Sequence, residues 1–274
     1  MSTDKVKLLS GEPDGATAVG HELDTTAALT TSGAKLLSVK NATVEKLSVD
    51  KDGNVVSVAR VEGATGHFGG GADYSSFEAD GTLLFNGAAT VWNDLTVPAF
   101  SARPGPTAPD FQNSPAFGGD STLYYLSFNG AGSTPVEEVY FTVQMPHDWK
   151  EGSDIYPHVH FSPTDSNGGD TNSRTVRWKL TYQWVNVDGT FGSSATINMD
   201  KAFVPNTSVW AHLLAGTASP VSGSGKTISS MLVCRLFRDP ADAADDYPQD
   251  AAFLYFDIHY EGDTAGSRSR NTKA

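Results

Sequence analysis

The second half of the chain alternates apolar and polar residues with the period of a β-strand. Residues 137–146 place four apolar side chains on one face, namely Val139, Phe141, Val143 and Met145. Residues 174–187 place five on one face: Val176, Trp178, Leu180, Tyr182 and Trp184. Side chains two residues apart in a strand share a face, so each segment is predicted to be a strand with one buried face.

Eight such segments follow one another after residue 120, with turn residues between them and no convincing helix. They are residues 121–128, 137–146, 155–161, 174–187, the runs ATINM and SVWAHLL, and residues 227–237 and 251–260. The last two are apolar on both faces near their centres, which is typical of central strands. This pattern predicts an all-β fold in which residues 120–265 form a jelly-roll-like β-sandwich.

The region from residue 33 to 97 has shorter strand signals and a weak internal repeat. LLSVKN at 36–41 precedes a hairpin signal centred on Asp52 and Gly53. FEADGTL at 77–83 matches VDKDGNV at 49–55 in residue type, and the Gly-rich HFGGGAD lies between them. We interpret residues 33–97 as a short β-hairpin shaft region.

These hairpins are too short to bury a core alone. Several copies wrapped around one axis would cover their apolar residues, so the sequence favours a homotrimer. The alternative is that the region packs on the downstream domain of its own chain.

The remaining segments are polar or rich in turn residues. Residues 1–32 are read as an extended arm that becomes ordered against something else, with a disordered tail as the alternative. Residues 98–119 contain five prolines and three glycines and are predicted to be a linker. Residues 266–274 form a polar C-terminal tail. The beginning of the sequence shows no signal peptide, and no apolar run is long enough to insert into a membrane.

Composition argues against several classes of function. The formal net charge of −13 would repel nucleic acid. Cys234 is the single cysteine, which excludes an intrachain disulfide and a thiolate metal cluster. Neither a nucleophile elbow nor a zinc-protease motif is present, so we expect a non-enzymatic protein without a cofactor.

Three further segments resemble binding motifs but favour simpler interpretations. SGSGKT at 222–227 lacks the first glycine of a phosphate-binding loop and is read as a turn. DKDGN at 50–54 resembles the start of a calcium loop but lacks the distal glutamate at the required position. The acidic segment 239–250 is interpreted as a solvated loop, with a surface cation site as the alternative.

His158 and His160 are the remaining candidate site residues. They share one face of a predicted strand, while Val159 and Phe161 point to the other face, taken as the core. Imidazole is a common metal ligand, and a three-fold axis would gather six rings. The favoured alternative is that both rings pack among Trp149, Trp178, Trp184 and Tyr156 and hydrogen-bond to neighbours. No metal ligand is therefore assigned.

Three phrases of the chain resemble tail-fibre-like and head-associated structural proteins of tailed bacteriophages. They are residues 90–98, 137–163 and 253–269, and the hairpin phrases resemble short repeats of phage fibre shafts. The resemblance implies a virion protein, usually homotrimeric, with other virion proteins as partners and a host-surface glycan as a further contact. In that case residues 1–32 would be the virion-anchoring arm. It brings no catalytic residues and leaves capsid and tail locations open. The alternative is a lectin-like carbohydrate-binding module, and a glycan-degrading spike is disfavoured because the shaft is short.

Overall fold

A computed structural model describes residues 29–41, 43–57, 66–113 and 123–273 of the 274-residue chain. The chain divides into two compact units, residues 1–63 and residues 64–274. Most of the predicted N-terminal arm, up to residue 28, lies outside the described residues. Within the described ranges, no helix has the length and apolar character that crossing a membrane requires.

The described part of the first unit is a three-stranded antiparallel sheet. Its strands are β1 (Lys35–Asn41), β2 (Val44–Asp50) and β3 (Val55–Ser57), in the order β1-β2-β3. The hairpin predicted at Asp52 and Gly53 is confirmed, because Val49 pairs with Val55 across the turn.

Besides two single-turn 3-10 helices at Gly87–Ala89 and Ala99–Ser101, the second unit contains fourteen described strands and one short α-helix. In chain order they are β4 (Gly66–Gly70), β5 (Asp73–Phe77), β6 (Leu83–Asn86), β7 (Val91–Pro98), β8 (Arg103–Pro104), β9 (Asp110–Asn113), β10 (Tyr124–Phe128), β11 (Glu137–Gln144), β12 (Ile155–Pro163), β13 (Arg174–Val185), β14 (Ala195–Phe203), α1 (Pro205–Ser208), β15 (Leu213–Thr217), β16 (Met231–Arg238) and β17 (Ala251–Gly262).

The internal repeat is visible in two turns with the same hydrogen bonds. In the first, the Asp50 N–H donates to the Asn54 carbonyl (3.0 Å) and the Gly53 N–H donates to the Asp50 carbonyl (3.1 Å). The turn at 78–82 has the equivalent two bonds, and its glycine, Gly81, has a φ of +87° against +84° for Gly53. The Asp50 carboxylate also accepts the Asn54 N–H, so this aspartate stabilises a hairpin turn.

The eight strands from β10 to β17 have the strand order of a jelly roll. The eleven strands from β7 to β17 form one continuous hydrogen-bonded sheet, which folds over into two layers, here called the two sheets: one has the order β10-β17-β12-β15, and the other has the order β11-β16-β13-β14. All of these neighbours pair antiparallel, and β14 also pairs with β15 at the corner where the two sheets meet. The predicted fold class is confirmed, and β16 and β17 are central strands as expected.

The core lies between these two sheets and contains the apolar faces that the alternation predicted. The described core side chains of β11 and β13 are at most 8% exposed: Val139, Phe141, Val143, Val176, Trp178 and Leu180. Val159 and Phe161 of β12 and Phe256 of β17 face them from the other sheet and are fully buried. The two sheets therefore share one continuous core.

Short strands extend the edges of both sheets. β7 lies beside β17, β8 pairs with β11, and β9 pairs with β10. Because β8 and β9 fall at 103–113, the first part of the predicted linker 98–119 contributes edge strands, where proline is tolerated. The domain boundaries drawn from the sequence remain predictions.

The sheet formed by β4, β5 and β6 contacts the end of the chain. The Phe85 N–H donates to the Asp263 carbonyl at 2.7 Å, and the Arg268 Nε donates to the Thr82 hydroxyl at 2.6 Å. The Lys273 ammonium also contacts the Trp149 carbonyl. Part of the predicted polar tail is thus held by specific contacts.

The acidic segment 239–250 is held against the jelly roll by ion pairs with its own chain. The central pair is Arg238 and Asp245, both fully buried, with two parallel hydrogen bonds of 2.7 and 2.8 Å. The same guanidinium donates to the Tyr247 and Gln249 carbonyls at 2.6 and 2.9 Å. A buried arginine that donates to several partners in this way stabilises the fold only while all of them are present. Removing its carboxylate partner leaves a buried charge unpaired.

We predict that Asp245→Asn lowers the free energy of unfolding by about 3–5 kcal/mol, because it leaves the Arg238 charge buried without a counter-ion. The matched control is Asp200→Asn, which breaks the more exposed pair with Arg177 and should cost at most about 1 kcal/mol. Denaturant unfolding of both variants measures the difference. Equal losses would contradict the special role of the buried pair.

Candidate functional site

β12 separates its side chains into a core face and an outer face. Val159 and Phe161 enter the core, and His158 and His160 point to the outer face of the β10-β17-β12-β15 sheet. The predicted division of these four residues between two faces is confirmed. The structure therefore places the two histidines beside each other on the outside of the sandwich.

The neighbouring strand β17 adds polar side chains to the same face. Asp257 lies directly opposite His158, and Tyr255 lies opposite His160. A β-bulge falls between these pairs and the next one, Phe161 with Phe253. The bulge lets Phe253 enter the core while Tyr255 and Asp257 stay outside, because one extra residue reverses the alternation.

The centre of this cluster is enclosed although it lies outside the core. His158, His160 and Asp257 are only 3%, 8% and 2% exposed. The ring of Tyr255 stacks on that of His160 with centroids 4.2 Å apart, and the ring of His259 lies 4.2 Å from that of His158. The neighbouring rings thus exclude water from His158, His160 and Asp257.

In each of the two central histidines, the Nδ1 atom points away from Asp257 and contacts another group. The Nδ1 of His158 lies 3.2 Å from the Tyr156 carbonyl, which can only accept, so this nitrogen carries a proton. The Nδ1 of His160 lies 2.6 Å from the Nε2 of His212. Both Nε2 atoms are left to face the carboxylate of Asp257.

The Nε2 atoms approach the carboxylate in a geometry that makes no regular hydrogen bond. The Nε2 of His158 contacts Asp257 Oδ1, and the Nε2 of His160 lies 3.4 Å from Asp257 Oδ2. Among the described residues, both nitrogen atoms and Asp257 Oδ1 are buried without a hydrogen-bond partner. Buried polar atoms of this kind are uncommon and call for a bound proton, ion or water.

The two histidines differ in their affinity for a proton. Burial lowers the pKa of His158, but the adjacent Asp257 carboxylate outweighs burial, so the net shift is upward. Burial also lowers the pKa of His160, and Asp257 does not compensate for it. A proton is therefore held more strongly at His158 than at His160.

A more exposed pair lies next to the centre. His259 of β17 lies 3.0 Å from Asp94 of β7 through its Nε2, and their side chains are 44% and 55% exposed. Asp94, Asp257 and His259 offer ligand atoms within 4.8 Å of one another, as do His158, His160 and Asp257. Asp257 belongs to both groups, so the outer pair borders the enclosed centre.

The sequence identified two members of the cluster and missed the others. The rings pack against His212, Tyr255 and His259, whereas Trp149 and Trp178, named in the packing alternative, lie in the core. The hydrogen bonds to neighbours that this alternative expected are present. A signal for the missed residues existed in FDIHY at 256–260, where Asp257 and His259 share a face as His158 and His160 do.

Aromatic side chains are exposed farther along the same sheet face. Trp92 of β7 is 57% exposed and Tyr156 of β12 is 38% exposed. Their ring centroids lie 5.4 Å apart with an interplanar angle of 74°. An exposed aromatic pair on a sheet face is a candidate contact for an apolar or sugar surface.

No protein-family model matches the sequence, and no curated protein matches it. Among solved structures, the chain is similar to one in the structure of infectious bursal disease virus, Gx strain, with 8% identity and a TM-score of 0.34. That match covers 86% of this chain, which spans about 44% of the length of the viral chain.

A second similarity is to the C-terminal family 22 carbohydrate-binding module of Clostridium thermocellum Xyn10B. It has 15% identity and a TM-score of 0.30, and covers 65% of this chain and 88% of the module. A third is to TmCBM27, a carbohydrate-binding module described for specific mannan recognition, with 12% identity and a TM-score of 0.24 over 62% of this chain and 88% of that one.

Proposed function

We propose that the chain is a non-enzymatic structural component of a tailed bacteriophage particle that assembles as a homotrimer. In this proposal, residues 1–32 attach to the virion, the hairpin region packs against its copies, and the jelly roll projects outward to stabilise the particle or contact the host surface. A jelly roll is compatible with this role, since viral capsid domains use the fold.

The observation that carries the proposal is the exposure of the first unit. No apolar side chain is buried among the described residues of its sheet. Five large apolar side chains are instead between 43% and 66% exposed: Leu36, Val39, Val44, Val55 and Val56. A small sheet with apolar residues left in water is unstable alone and is an association surface.

The energy available from covering these residues is large enough to matter. Full burial of one valine or leucine side chain contributes roughly 1.5–3 kcal/mol. Burying the exposed half of five such side chains on assembly would therefore contribute several kcal/mol. Copies around a three-fold axis would bury the same sheet in every chain. We choose a trimer because the sequence resembles phage fibre proteins, which are usually trimeric.

We expect light scattering of the purified chain at micromolar concentration to give three times the mass of one chain. Val55→Asp should shift the protein to monomers, because three charges would be buried without partners. Val187→Asp is the control, since Val187 is also an exposed valine but belongs to the jelly roll. A monomeric wild-type chain, or a trimer in Val55→Asp, would contradict the proposed interface.

The virion role predicts that the chain is part of purified particles of the phage that encodes it. Gold-labelled antibody against the jelly roll should decorate intact particles at a regular position, on the capsid or on the tail. Pre-immune antibody is the control. If mass spectrometry of density-purified particles detects other virion proteins but not this chain, the structural role is wrong.

A carbohydrate-binding module is the second candidate, and the exposed pair of Trp92 and Tyr156 favours it. Sugar rings stack on such aromatic side chains, so Trp92→Ala should weaken glycan-array binding about two- to tenfold, the effect of one aromatic contact. Phe191→Ala, which removes an exposed aromatic residue outside the sheets, is the control. Absence of glycan binding by the wild-type chain would remove this candidate.

A further inference from the structure

We propose that His158, His160 and Asp257 bind one first-row divalent transition-metal ion, such as Zn²⁺, within a single chain. Two imidazole nitrogens and one carboxylate on one side of an ion form an established ligand set for such metals. The site lies inside one unit of the chain, so it does not depend on the proposed trimer.

The first argument is the direction of the ligand atoms. The Nδ1 atoms of His158 and His160 are engaged by the Tyr156 carbonyl and by His212, which directs both Nε2 atoms towards Asp257. Contacts of this type to the second ring nitrogen are the usual way in which proteins orient metal-binding histidines. The oxygens of Asp257 face one ring each, so the three groups surround a common point.

The second argument is the burial of polar atoms that make no regular hydrogen bond. Three atoms of this cluster are buried without a hydrogen-bond partner among the described residues: His158 Nε2, His160 Nε2 and Asp257 Oδ1. Removing a carboxylate and two ring nitrogens from water is strongly unfavourable unless a positive partner is present. A metal ion supplies that partner to all three groups, whereas a single proton can bridge only two of them.

The donor atoms also select the class of ion. Calcium and magnesium prefer sets of oxygen ligands, and copper(I) prefers sulfur, so two nitrogens and a carboxylate favour zinc and its neighbours. The pair of His259 and Asp94 offers an exposed approach to Asp257. The exposed carboxylate of Asp94 attracts cations from solvent.

Binding would link two strands of the jelly roll directly and a third segment through the contact between His160 and His212. His158 and His160 belong to β12, Asp257 belongs to β17, and His212 precedes β15. An ion that binds the folded state alone stabilises it in proportion to the logarithm of its concentration above Kd. At a hundredfold excess over Kd, the expected rise in Tm is roughly 5–10 °C for a chain of this size.

The test uses the full-length, untagged protein, stripped with a chelator and then equilibrated with Zn²⁺. Elemental analysis should find one zinc per chain in the wild-type protein and in the control His67→Gln, which changes an exposed histidine on β4. His160→Gln and Asp257→Asn should weaken binding by more than about 100-fold and abolish the rise in Tm. Circular dichroism confirms that each variant is folded.

X-ray absorption of the zinc-loaded wild-type protein gives a second measurement that does not depend on the variants. It should show two imidazole ligands and oxygen at about 2.0–2.2 Å from the metal. The absence of bound zinc, a stoichiometry of one ion per three chains, or full-strength binding in Asp257→Asn would each overturn the proposal. The stoichiometry of one per three would place the ion on a shared axis instead.

Discussion

Successive residues of a β-strand must point to opposite faces of its sheet, and the structure of this chain depends on how β12 meets that constraint. Val159 and Phe161 are fixed in the core by apolar burial. His158 and His160 must then face outward, because they alternate with these two residues along the strand. The hydrophobic effect therefore positions the polar cluster indirectly, because any slip of one residue would place two histidines in the core.

β17 satisfies the same constraint differently. Phe253 and Phe256 are both buried, although an odd spacing of three residues separates them. The bulge opposite His160 and Phe161 makes this compatible with one core face. The bulge also decides that Asp257 faces the histidines, since without it the alternation begun at Phe253 would turn Asp257 into the core.

The limits of sequence reasoning follow from these two strands. The regular alternation of β11, β12 and β13 could be predicted, because the sequence of each strand is enough to assign its residues to two faces. In residues 251–260 the bulge reverses the alternation partway along the strand. The sequence therefore predicts a strand that is apolar on both faces, and it does not indicate that Asp257 faces outward. Asp257 and His158 are far apart in the chain and meet only because β17 and β12 are neighbouring strands. A local sequence pattern does not show which strands are neighbours.

The two proposals rest on opposite kinds of unfavourable environment. In the first unit, apolar groups such as Val55 and Val56 remain in water, and only a large apolar surface can relieve that cost. At the outer sheet face, Asp257 and the two histidines are removed from water, and only a positive charge with suitable geometry can relieve that cost. A second protein chain is the natural partner for the first surface and a small cation is the natural partner for the second. Because neither partner can substitute for the other, assembly and metal binding can be tested separately in the same protein.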